Sequence, residues 1–210
     1  MKQHKRPFLI AITGSFASGK TLVSKWFEEK GFTVHYTDKL GHAILQDEKV
    51  IYILAEKFGN EILENGAISR IKLGEIVFDS TENLKFLNSI LHPQIRSKTQ
   101  AIIDSSREDY LVFEIPLLFE NKLQNAFDLT INVSASKENQ ISRSQKRDKM
   151  KITQIEQRIK SQMSDYDKQK LADINIENNG SINELYSRLE NLLSLIKRMG
   201  KKDIRKIIEL

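Results

Sequence analysis

The chain has 210 residues, with 33 Lys and Arg against 28 Asp and Glu, three prolines and no cysteine. This length suits one domain with insertions better than two independent domains. A composition that is 40% hydrophobic and 29% charged excludes a disordered tail protein, and no apolar run reaches the ~18 residues of a membrane span. The lack of cysteine excludes disulfides, thiolate zinc sites and a cysteine nucleophile. We expect a cytoplasmic protein, because the first apolar run is too short for a secretory signal.

The net charge of +5 is concentrated at the C-terminus, where residues 197–210 carry six basic and two acidic side chains. A nucleic-acid binder usually spreads its basic residues over a folded face. We therefore expect neither a nucleic-acid nor a membrane partner. The tail is interpreted as a solvated helical end with Ile204, Ile207 and Ile208 docked on one side.

Short apolar runs alternate with helical patterns along most of the chain. Five of these runs predict buried parallel strands, namely 8–13, 33–37, 110–115, 129–133 and 173–176. The first helical pattern, 20–30, is followed by Gly31 as a stop signal. Strand, helix and strand in this order are typical of a parallel α/β sheet.

Two capping boxes mark later helices. Ser181 with Glu184 opens a helix that Gly200 is expected to end, and Thr153 with Glu156 opens a helix striped by Ile155, Ile159 and Met163.

The stretch from 40 to 106 interrupts the alternation, because its apolar spacing predicts several consecutive helices and no convincing strand. The dipeptide Asn65-Gly66 in this stretch is a turn signal. A helical excursion of this length indicates a subdomain inserted beside the sheet. Open α/β sheets bind ligands at the carboxyl ends of their strands, so the insertion is expected to cover a substrate.

The residues directly after the first strand read Gly-Ser-Phe-Ala-Ser-Gly-Lys-Thr from 14 to 21, which satisfies the pattern G-x-x-x-x-G-K-[ST] between a strand and a helix. The backbone of such a loop turns its N–H groups toward phosphate oxygens. Lys20 is expected to reach the β- and γ-phosphates, Thr21 to ligate Mg²⁺, and the Leu22 amide to face the α-phosphate. The remaining phosphate-loop residues expected to bind nucleotide are Gly14, Ser15, Ala17, Ser18 and Gly19.

The rest of the chain narrows the class of nucleotide enzyme. The fragment 121–124 reads Asn-Lys-Leu-Gln and lacks the carboxylate of a guanine-reading N-K-x-D motif. This weakens the GTPase interpretation and favours a kinase that uses a nucleoside triphosphate.

Asp38 follows the second predicted strand and so belongs to the same sheet edge as the loop. An ionised carboxylate there could accept the proton of an attacking hydroxyl. The alternative is an N-cap for a helix that begins at Lys39, and both roles can hold together.

Other charged residues admit two interpretations each. Arg143 and Arg147 lie four apart on a helix expected to open at Ser136, which suits either arginines of a mobile lid or a solvated basic face. Glu114, on the third strand, suits either a water-mediated contact to Mg²⁺ or a packing role. His92, before a proline, is interpreted as a helix-terminal residue.

Several motifs in this order resemble the dephospho-coenzyme A kinases, which make coenzyme A from ATP and 3′-dephospho-coenzyme A. The resemblance covers nearly the whole chain. It rests on the loop at 14–21, Asp38 in the place of a D-A-D-x-I-A-R motif, Leu-His-Pro at 91–93, Pro-Leu-Leu-Phe-Glu at 116–120, the 143–147 helix, Gln162, and 172–180, which ends in Asn-Asn-Gly.

The resemblance implies an α/β P-loop NTPase fold with a five-stranded, mainly parallel sheet flanked by helices. Its parts would be a nucleotide-binding core (1–39, 107–138 and 166–196), a helical coenzyme A-binding region (40–106), a lid (139–165) and the basic tail (197–210). ATP and Mg²⁺ would be the cofactors and dephospho-coenzyme A the small-molecule partner. A monomer and a weak homo-oligomer both stay open.

The same resemblance implies roles for individual residues. Asp38 would be the base for the ribose 3′-hydroxyl, and Lys20 and Arg143 would stabilise the transferring phosphoryl group. Arg147 would contact the nucleotide, and Asn178 and Asn179 would lie by its adenine. The acceptor contacts would be Asp38, His42, His92, Glu120 and Gln162.

Three departures from the family pattern concern positions near the acceptor and the loop. Residues 36–38 are Tyr-Thr-Asp in place of D-A-D, His42 stands in place of an arginine, and Ser15 in place of the usual second glycine. A histidine, with its usual pKa near 6.5, would hold an acceptor phosphate less well above neutral pH. Two alternatives remain: another small-molecule kinase, acting on a nucleoside or nucleotide, and a nucleic-acid-dependent ATPase.

Overall fold

A computed structural model describes residues 6–210, so the first five residues of the predicted core lie outside the described part. The described strands are β1 Phe8–Gly14, β2 Thr33–Tyr36, β3 Leu63–Glu64, β4 Ala67–Ile68, β5 Tyr110–Glu114, β6 Leu129–Ser134 and β7 Ile174–Glu177. The described α-helices are α1 Lys20–Glu29, α2 Thr37–Ile44, α3 Glu48–Phe58, α4 Arg70–Phe78, α5 Thr81–Ser105, α6 Lys137–Asp148, α7 Ile152–Lys160, α8 Asp165–Leu171 and α9 Ile182–Ile196.

Two compact units make up the chain. The first contains the residues up to Tyr36 together with Ser105–Leu210, and the second is Thr37–Asp104. The functional division into core, acceptor-binding region and lid stays a prediction.

The first unit contains a five-stranded sheet in the order β2-β5-β1-β6-β7. All four strand pairs are parallel, with Ile12 of β1 opposite Glu114 and Ile131. The prediction of a five-stranded, mainly parallel sheet is therefore confirmed. β1 is buried along its whole length, because it lies in the middle of the sheet, and its carboxyl end leads into the glycine loop.

The core of this unit joins the sheet to α1 and α9. Trp26 and Phe27 of α1 pack with Leu189 and Ile196 of α9 in one cluster with the central strands. Burying side chains of this size contributes about 1.5–3 kcal/mol each. This packing fixes α1, and with it the helix end that follows the loop.

The predicted signals at the ends of these two helices hold in part. Gly31 follows α1 with φ 86°, the left-handed conformation expected of a glycine stop. The box formed by Ser181 and Glu184 opens α9 as predicted. The helix ends at Ile196, four residues before the expected Gly200, and the chain then turns back toward the sheet.

The second unit is mainly helical and has its own core, which includes Ile44, Leu54, Ile62, Leu73 and Leu87. The expectation that this stretch lacks strands is wrong, because β3 and β4 form an antiparallel hairpin. Asn65 and Gly66 both have positive φ, 52° and 79°, as a two-residue hairpin turn with matched twist requires. The strands are only two residues long, too short for an alternating pattern to reveal them.

α5 runs for 25 residues and continues through Pro93, so the interpretation of His92 as a helix-terminal residue is wrong. Proline removes one backbone hydrogen bond from a helix interior and normally breaks it. Here Leu87 and Ile95 pack into the unit's core on either side of Pro93, and this packing outweighs the local cost.

The two helices of the predicted lid, α6 and α7, begin with different capping interactions. α6 is capped by Ser136, whose hydroxyl accepts from the Asn139 amide, as predicted. The N-cap of α7 is Lys151 rather than the predicted Thr153, and Gln154 Oε1 accepts from the Lys151 amide. Met163 lies beyond the end of α7 and is not part of its stripe.

The basic tail is not helical over 197–206, so its interpretation as a solvated helical end is wrong. A single 3₁₀ turn, Ile207–Glu209, follows. The Lys202 amide donates to Asp128 and the Arg205 amide donates to the Asn125 carbonyl. These tertiary hydrogen bonds replace helical ones; Ile207 is buried, whereas Ile208 is exposed.

Within residues 6–210, no helix is both long enough and apolar enough to cross a membrane.

Candidate active site

The phosphate loop, residues 14–21, lies between the end of β1 and the start of α1. Gly14 has φ 150°, and a Cβ there would meet the Val133 carbonyl oxygen at 2.1 Å. Gly19 has φ 102°, and a Cβ there would meet Asn178 Nδ2 at 2.1 Å. Both positions favour glycine for two reasons: neighbouring atoms leave no room for a Cβ, and the positive φ disfavours residues with a side chain. Ala17 also adopts a positive φ, 56°, which costs a residue with a side chain about 1–2 kcal/mol.

The N-terminus of α1 is suited to bind an anion. Gly19 precedes the helix, and in the described structure no side chain caps this end and no acid occupies its first turn. The N–H groups of the first turn and the helix dipole therefore favour a phosphate. The Leu22 amide, expected at the α-phosphate, donates to the Gly19 carbonyl at 3.0 Å.

The Lys20 ammonium lies within the loop that precedes it. Its Nζ donates to the carbonyl oxygens of Gly14 at 2.8 Å and Ser15 at 2.9 Å. The cation is thus held against the carbonyls of the loop, and its reach to the β- and γ-phosphates stays a prediction.

Thr21 and Glu114 meet at the same edge of the sheet. The Thr21 hydroxyl donates to Glu114 Oε1 at 3.0 Å, and Glu114, the last residue of β5, is 8% exposed. Nearby, burial, the hydrogen bond that the Tyr36 hydroxyl donates to Glu28, and the charges of Glu28 and Glu114 raise the pKa of Tyr36 to about 12. The phenol therefore stays protonated at neutral pH.

Arg143 on α6 reaches the loop. Its guanidinium donates to the Ser18 carbonyl at 3.2 Å and to the Asn178 carbonyl at 2.7 Å. The Asn178 side-chain amide also donates to the Ser18 carbonyl, at 2.8 Å. The structure thus joins Arg143, predicted to stabilise the transferring phosphoryl group, to Asn178 and the loop, which were predicted to bind nucleotide.

The segment between α7 and α8 contacts the other side of the loop. Gln162 Oε1 accepts a hydrogen bond from the Phe16 amide at 2.8 Å. Gln162, which was predicted to contact the acceptor substrate, therefore lies against the phosphate loop. The Arg158 guanidinium sits over the Phe16 ring, 5.3 Å from its centroid.

An ion pair between a buried lysine and a partly exposed glutamate lies beside this segment. Lys168 of α8 is fully buried and pairs with Glu120 at 2.8 Å, and Glu120 also accepts from the Met163 amide at 3.0 Å. Asp165 lies one turn before Lys168. Burial raises the pKa of Asp165 above its usual value, although the Ser15 hydroxyl, Lys168 and Lys20 oppose the shift.

Three predicted residues belong to the helical unit. Asp38 is an exposed residue in the first turn of α2, which begins at Thr37. The N-cap alternative for Asp38 is therefore wrong, because an N-cap residue precedes the helix. Burial and Arg70 lower the pKa of His42, with Asp38 partly opposing them. Burial and then Arg96 lower the pKa of His92.

Two other predicted residues contact neighbours outside the loop. Arg147 pairs with Asp148 in an exposed bidentate contact. Asn179 accepts from the Ser136 amide at 2.7 Å and from Asn139, and so ties the turn after β7 to the start of α6. Their roles toward nucleotide stay predictions.

The sequence analysis missed Gln140, Arg158, Asp165 and Lys168. A usable signal existed for Gln140, which is three residues before Arg143 and so shares its helix face. None existed for Lys168, because a lysine between polar residues normally stays in water.

Comparisons with known proteins identify the family of the chain. The family model described as dephospho-CoA kinase matches residues 8–184. A dephospho-CoA kinase of Fusobacterium nucleatum is 38% identical over 189 residues, which cover 90% of this chain and 98% of that protein. A dephospho-CoA kinase of Oceanobacillus iheyensis is 37% identical over 194 residues, which cover 88% of this chain and 96% of that protein.

Solved structures give the same result. A crystal structure from Thermus thermophilus shares 28% identity at a TM-score of 0.81, covering 93% of this chain and all of the other. The dephospho-CoA kinase from Campylobacter jejuni shares 29% identity at a TM-score of 0.61, covering 90% of this chain and 96% of the other. A shikimate kinase from Acinetobacter baumannii, 13% identical at a TM-score of 0.53, shares the fold alone. The match over 8–184 and the identities above 35% show that this chain belongs to the dephospho-CoA kinase family.

Proposed function

We propose that this protein transfers the γ-phosphoryl group of ATP to the ribose 3′-hydroxyl of dephospho-coenzyme A, giving coenzyme A and ADP. The observation that carries the proposal is the phosphate loop: a glycine-bounded turn at the head of α1 with the Lys20 ammonium held against its carbonyls. Family membership selects the acceptor, and it disfavours a nucleoside kinase and a nucleic-acid-dependent ATPase.

The oxygen atoms at the edge of the sheet fit Mg²⁺. Thr21 and Glu114 supply a hydroxyl and a carboxylate in contact, and Mg²⁺ prefers such ligands together with waters and substrate phosphates. In the described part of the chain no three His, Cys, Asp or Glu side chains form a metal cluster, which suits an ion held largely by the triphosphate. Thr21 would hold the ion directly and Glu114 through water. The bound ion would neutralise charge that develops on the phosphate oxygens.

Each residue then has a specific task in the transfer. The Asp38 carboxylate takes the proton from the 3′-hydroxyl as that oxygen forms a bond to the γ-phosphorus. The bond between this phosphorus and the bridging oxygen breaks, and ADP leaves with the electron pair. Lys20 and Arg143 balance the negative charge that spreads over the phosphoryl oxygens.

The direct test incubates the purified protein with Mg·ATP and dephospho-coenzyme A. Mass spectrometry should show a gain of about 80 daltons on the acceptor, one phosphoryl unit replacing a proton. Adenosine, AMP and RNA are assayed in parallel. Transfer to adenosine or AMP, or ATP hydrolysis stimulated by RNA, would contradict the proposal.

A matched pair of variants tests the loop. Lys20→Ala removes the cation inside the loop and should lower turnover about 10²- to 10³-fold, the effect of losing one preorganised charge-stabilising group. Lys25→Ala removes an exposed lysine from the same helix and should leave turnover unchanged. Near-full turnover in Lys20→Ala would exclude the assigned loop.

A further inference from the structure

The side chain of Ser15, in the phosphate loop, makes a contact outside the loop. Ser15 is 3% exposed, and its hydroxyl accepts from Gln140 Nε2 at 2.6 Å. Gln140, on α6, is 2% exposed. A buried hydrogen bond therefore joins the phosphate loop to α6, and a glycine could not form it.

This hydrogen bond lies on the same face of α6 as Arg143. Residues three apart on a helix are surface neighbours, so Gln140 fixes the helix one turn before Arg143. The guanidinium of Arg143 then reaches the carbonyls of Ser18 and Asn178. The loop thus holds α6 at two points, one at Ser15 and one at Ser18.

The Ser15 hydroxyl also interacts with the Asp165 carboxylate of α8, and this hydrogen bond opposes the rise that burial causes in the pKa of Asp165. Lys168, a second α8 side chain that acts on Asp165, pairs with Glu120. A hydroxyl can accept from an amide and donate to a carboxylate at once. Ser15 is therefore placed to orient Gln140 while a carboxylate orients its own proton.

We propose that the Ser15 hydroxyl is a positioning group that holds α6 through Gln140, so that the Arg143 guanidinium lies over the phosphate loop. Ser15 acts on the reaction through Arg143 and not as a ligand of the nucleotide. The inference rests on the proposed function, since its readout is phosphoryl transfer.

Ser15→Ala deletes only the hydroxyl. We expect kcat to fall between about tenfold and 10²-fold, the cost of a small misplacement of a catalytic group. The ATP dissociation constant, measured by calorimetry, should change far less, because the loop amides and Lys20 remain. In an Arg143→Ala background the same change should cost little further kcat, since it acts through the missing guanidinium.

A second comparison separates positioning from stability. Ser15→Ala leaves the buried Gln140 amide without its acceptor and should lower the Tm, whereas Ser15→Ala with Gln140→Leu removes both partners and should recover most of it. The kcat should stay low in the double variant. Ser144→Ala removes another buried hydroxyl of α6, one that donates to the Gln140 carbonyl, and should lower the Tm without changing kcat.

The outcomes are distinct. If Ser15→Ala keeps the kcat of an active wild-type protein, or if the double variant recovers kcat together with the Tm, Ser15 has no positioning role. Additive losses of kcat for Ser15→Ala and Arg143→Ala would also overturn the inference. A wild-type protein that fails to phosphorylate dephospho-coenzyme A contradicts the proposed function instead.

Discussion

The Thr21 hydroxyl donates to the Glu114 carboxylate at 3.0 Å, where β5 ends beside the phosphate loop. Residues 93 positions apart in the chain thereby present two oxygen-bearing side chains at one edge of the sheet. Because Mg²⁺ prefers hydroxyl and carboxylate oxygens as ligands, this pair supports the proposed magnesium contact over a packing role for Glu114.

The first prediction concerns the metal dependence. Glu114→Gln keeps the shape of the side chain but removes its charge, so the Mg²⁺ concentration for half-maximal activity should rise about 10- to 100-fold, the usual effect of losing an outer-shell carboxylate. The measurement is a magnesium titration at saturating ATP. Glu29→Gln changes an exposed acid on α1 and serves as the control. An unchanged magnesium requirement in Glu114→Gln would return Glu114 to a packing role.

The second prediction concerns the catalytic base. Asp38 lies within the first turn of α2, so Asp38→Asn removes a proton acceptor without removing a cap. The kcat should fall about 10²- to 10⁴-fold, the range that general base catalysis supplies, while the ATP dissociation constant stays unchanged. Steady-state kinetics measures the kcat, and calorimetry measures the ATP dissociation constant.

The control for Asp38 is a carboxylate with a known structural task. Asp47 caps α3 by accepting from the Lys49 amide, and Asp47→Asn retains a good cap. This variant should keep both activity and stability. Equal kcat values for Asp38→Asn and the wild type would assign proton transfer to another group.

The sequence predicted the elements whose signals are local. The Lys-Thr ending of the loop, the Ser181 and Glu184 box and the apolar strands each need only a few neighbouring residues to be recognised. The hydrogen bonds that assemble the candidate site are not local. The bond between Ser15 and Gln140 spans 125 positions of the chain, and the bond between Asn178 and Ser18 spans 160. No local pattern encodes such pairs.

The errors have the same origin. The helix cap at Lys151, the continuous helix through Pro93 and the docked tail are all decided by tertiary packing, which outweighs local propensity. Local patterns at these places favoured Thr153, a helix end and a solvated helix. The buried Lys168 shows this most clearly, because its pairing with Glu120, which is distant in the chain, offsets the free-energy cost of burying its charge.

The third prediction concerns the acceptor. Burial and Arg70 lower the pKa of His42 below its usual value, against the opposing charge of Asp38. The imidazole is therefore mostly neutral at pH 7 to 8, and its charged form becomes more populated as the pH falls. His42→Arg should lower the KM for dephospho-coenzyme A at pH 8 by about tenfold, the effect of one charge-assisted hydrogen bond, and by less at pH 6.

Ala43→Arg is the matched control for His42, because it adds the same charge at the next, exposed position of α2. It should leave the KM for the acceptor unchanged. A KM in His42→Arg that equals the wild-type value from pH 6 to pH 8 would remove residue 42 from the acceptor contacts.

The last prediction concerns the tail and stability. Asp128, fully buried, accepts from the Arg6 guanidinium at 2.6 and 2.9 Å, from the Leu9 amide at 2.8 Å and from the Lys202 amide at 2.7 Å. Asp128→Asn keeps one acceptor oxygen and loses the charge that pairs with Arg6. Because the Arg6 side chain is 33% exposed, the free energy of unfolding should fall by about 2–3 kcal/mol, below the full cost of breaking a buried pair.

The kcat of Asp128→Asn should equal that of the wild type, because Asp128 precedes β6 and so lies at the end of the sheet opposite the phosphate loop. Urea denaturation and steady-state kinetics measure the two quantities. Asp203→Asn makes the same change at an exposed position of the tail and should alter neither. If Asp128→Asn lost activity at temperatures where it remains folded, the tail would contribute to catalysis, and its role could no longer be assigned to stability alone.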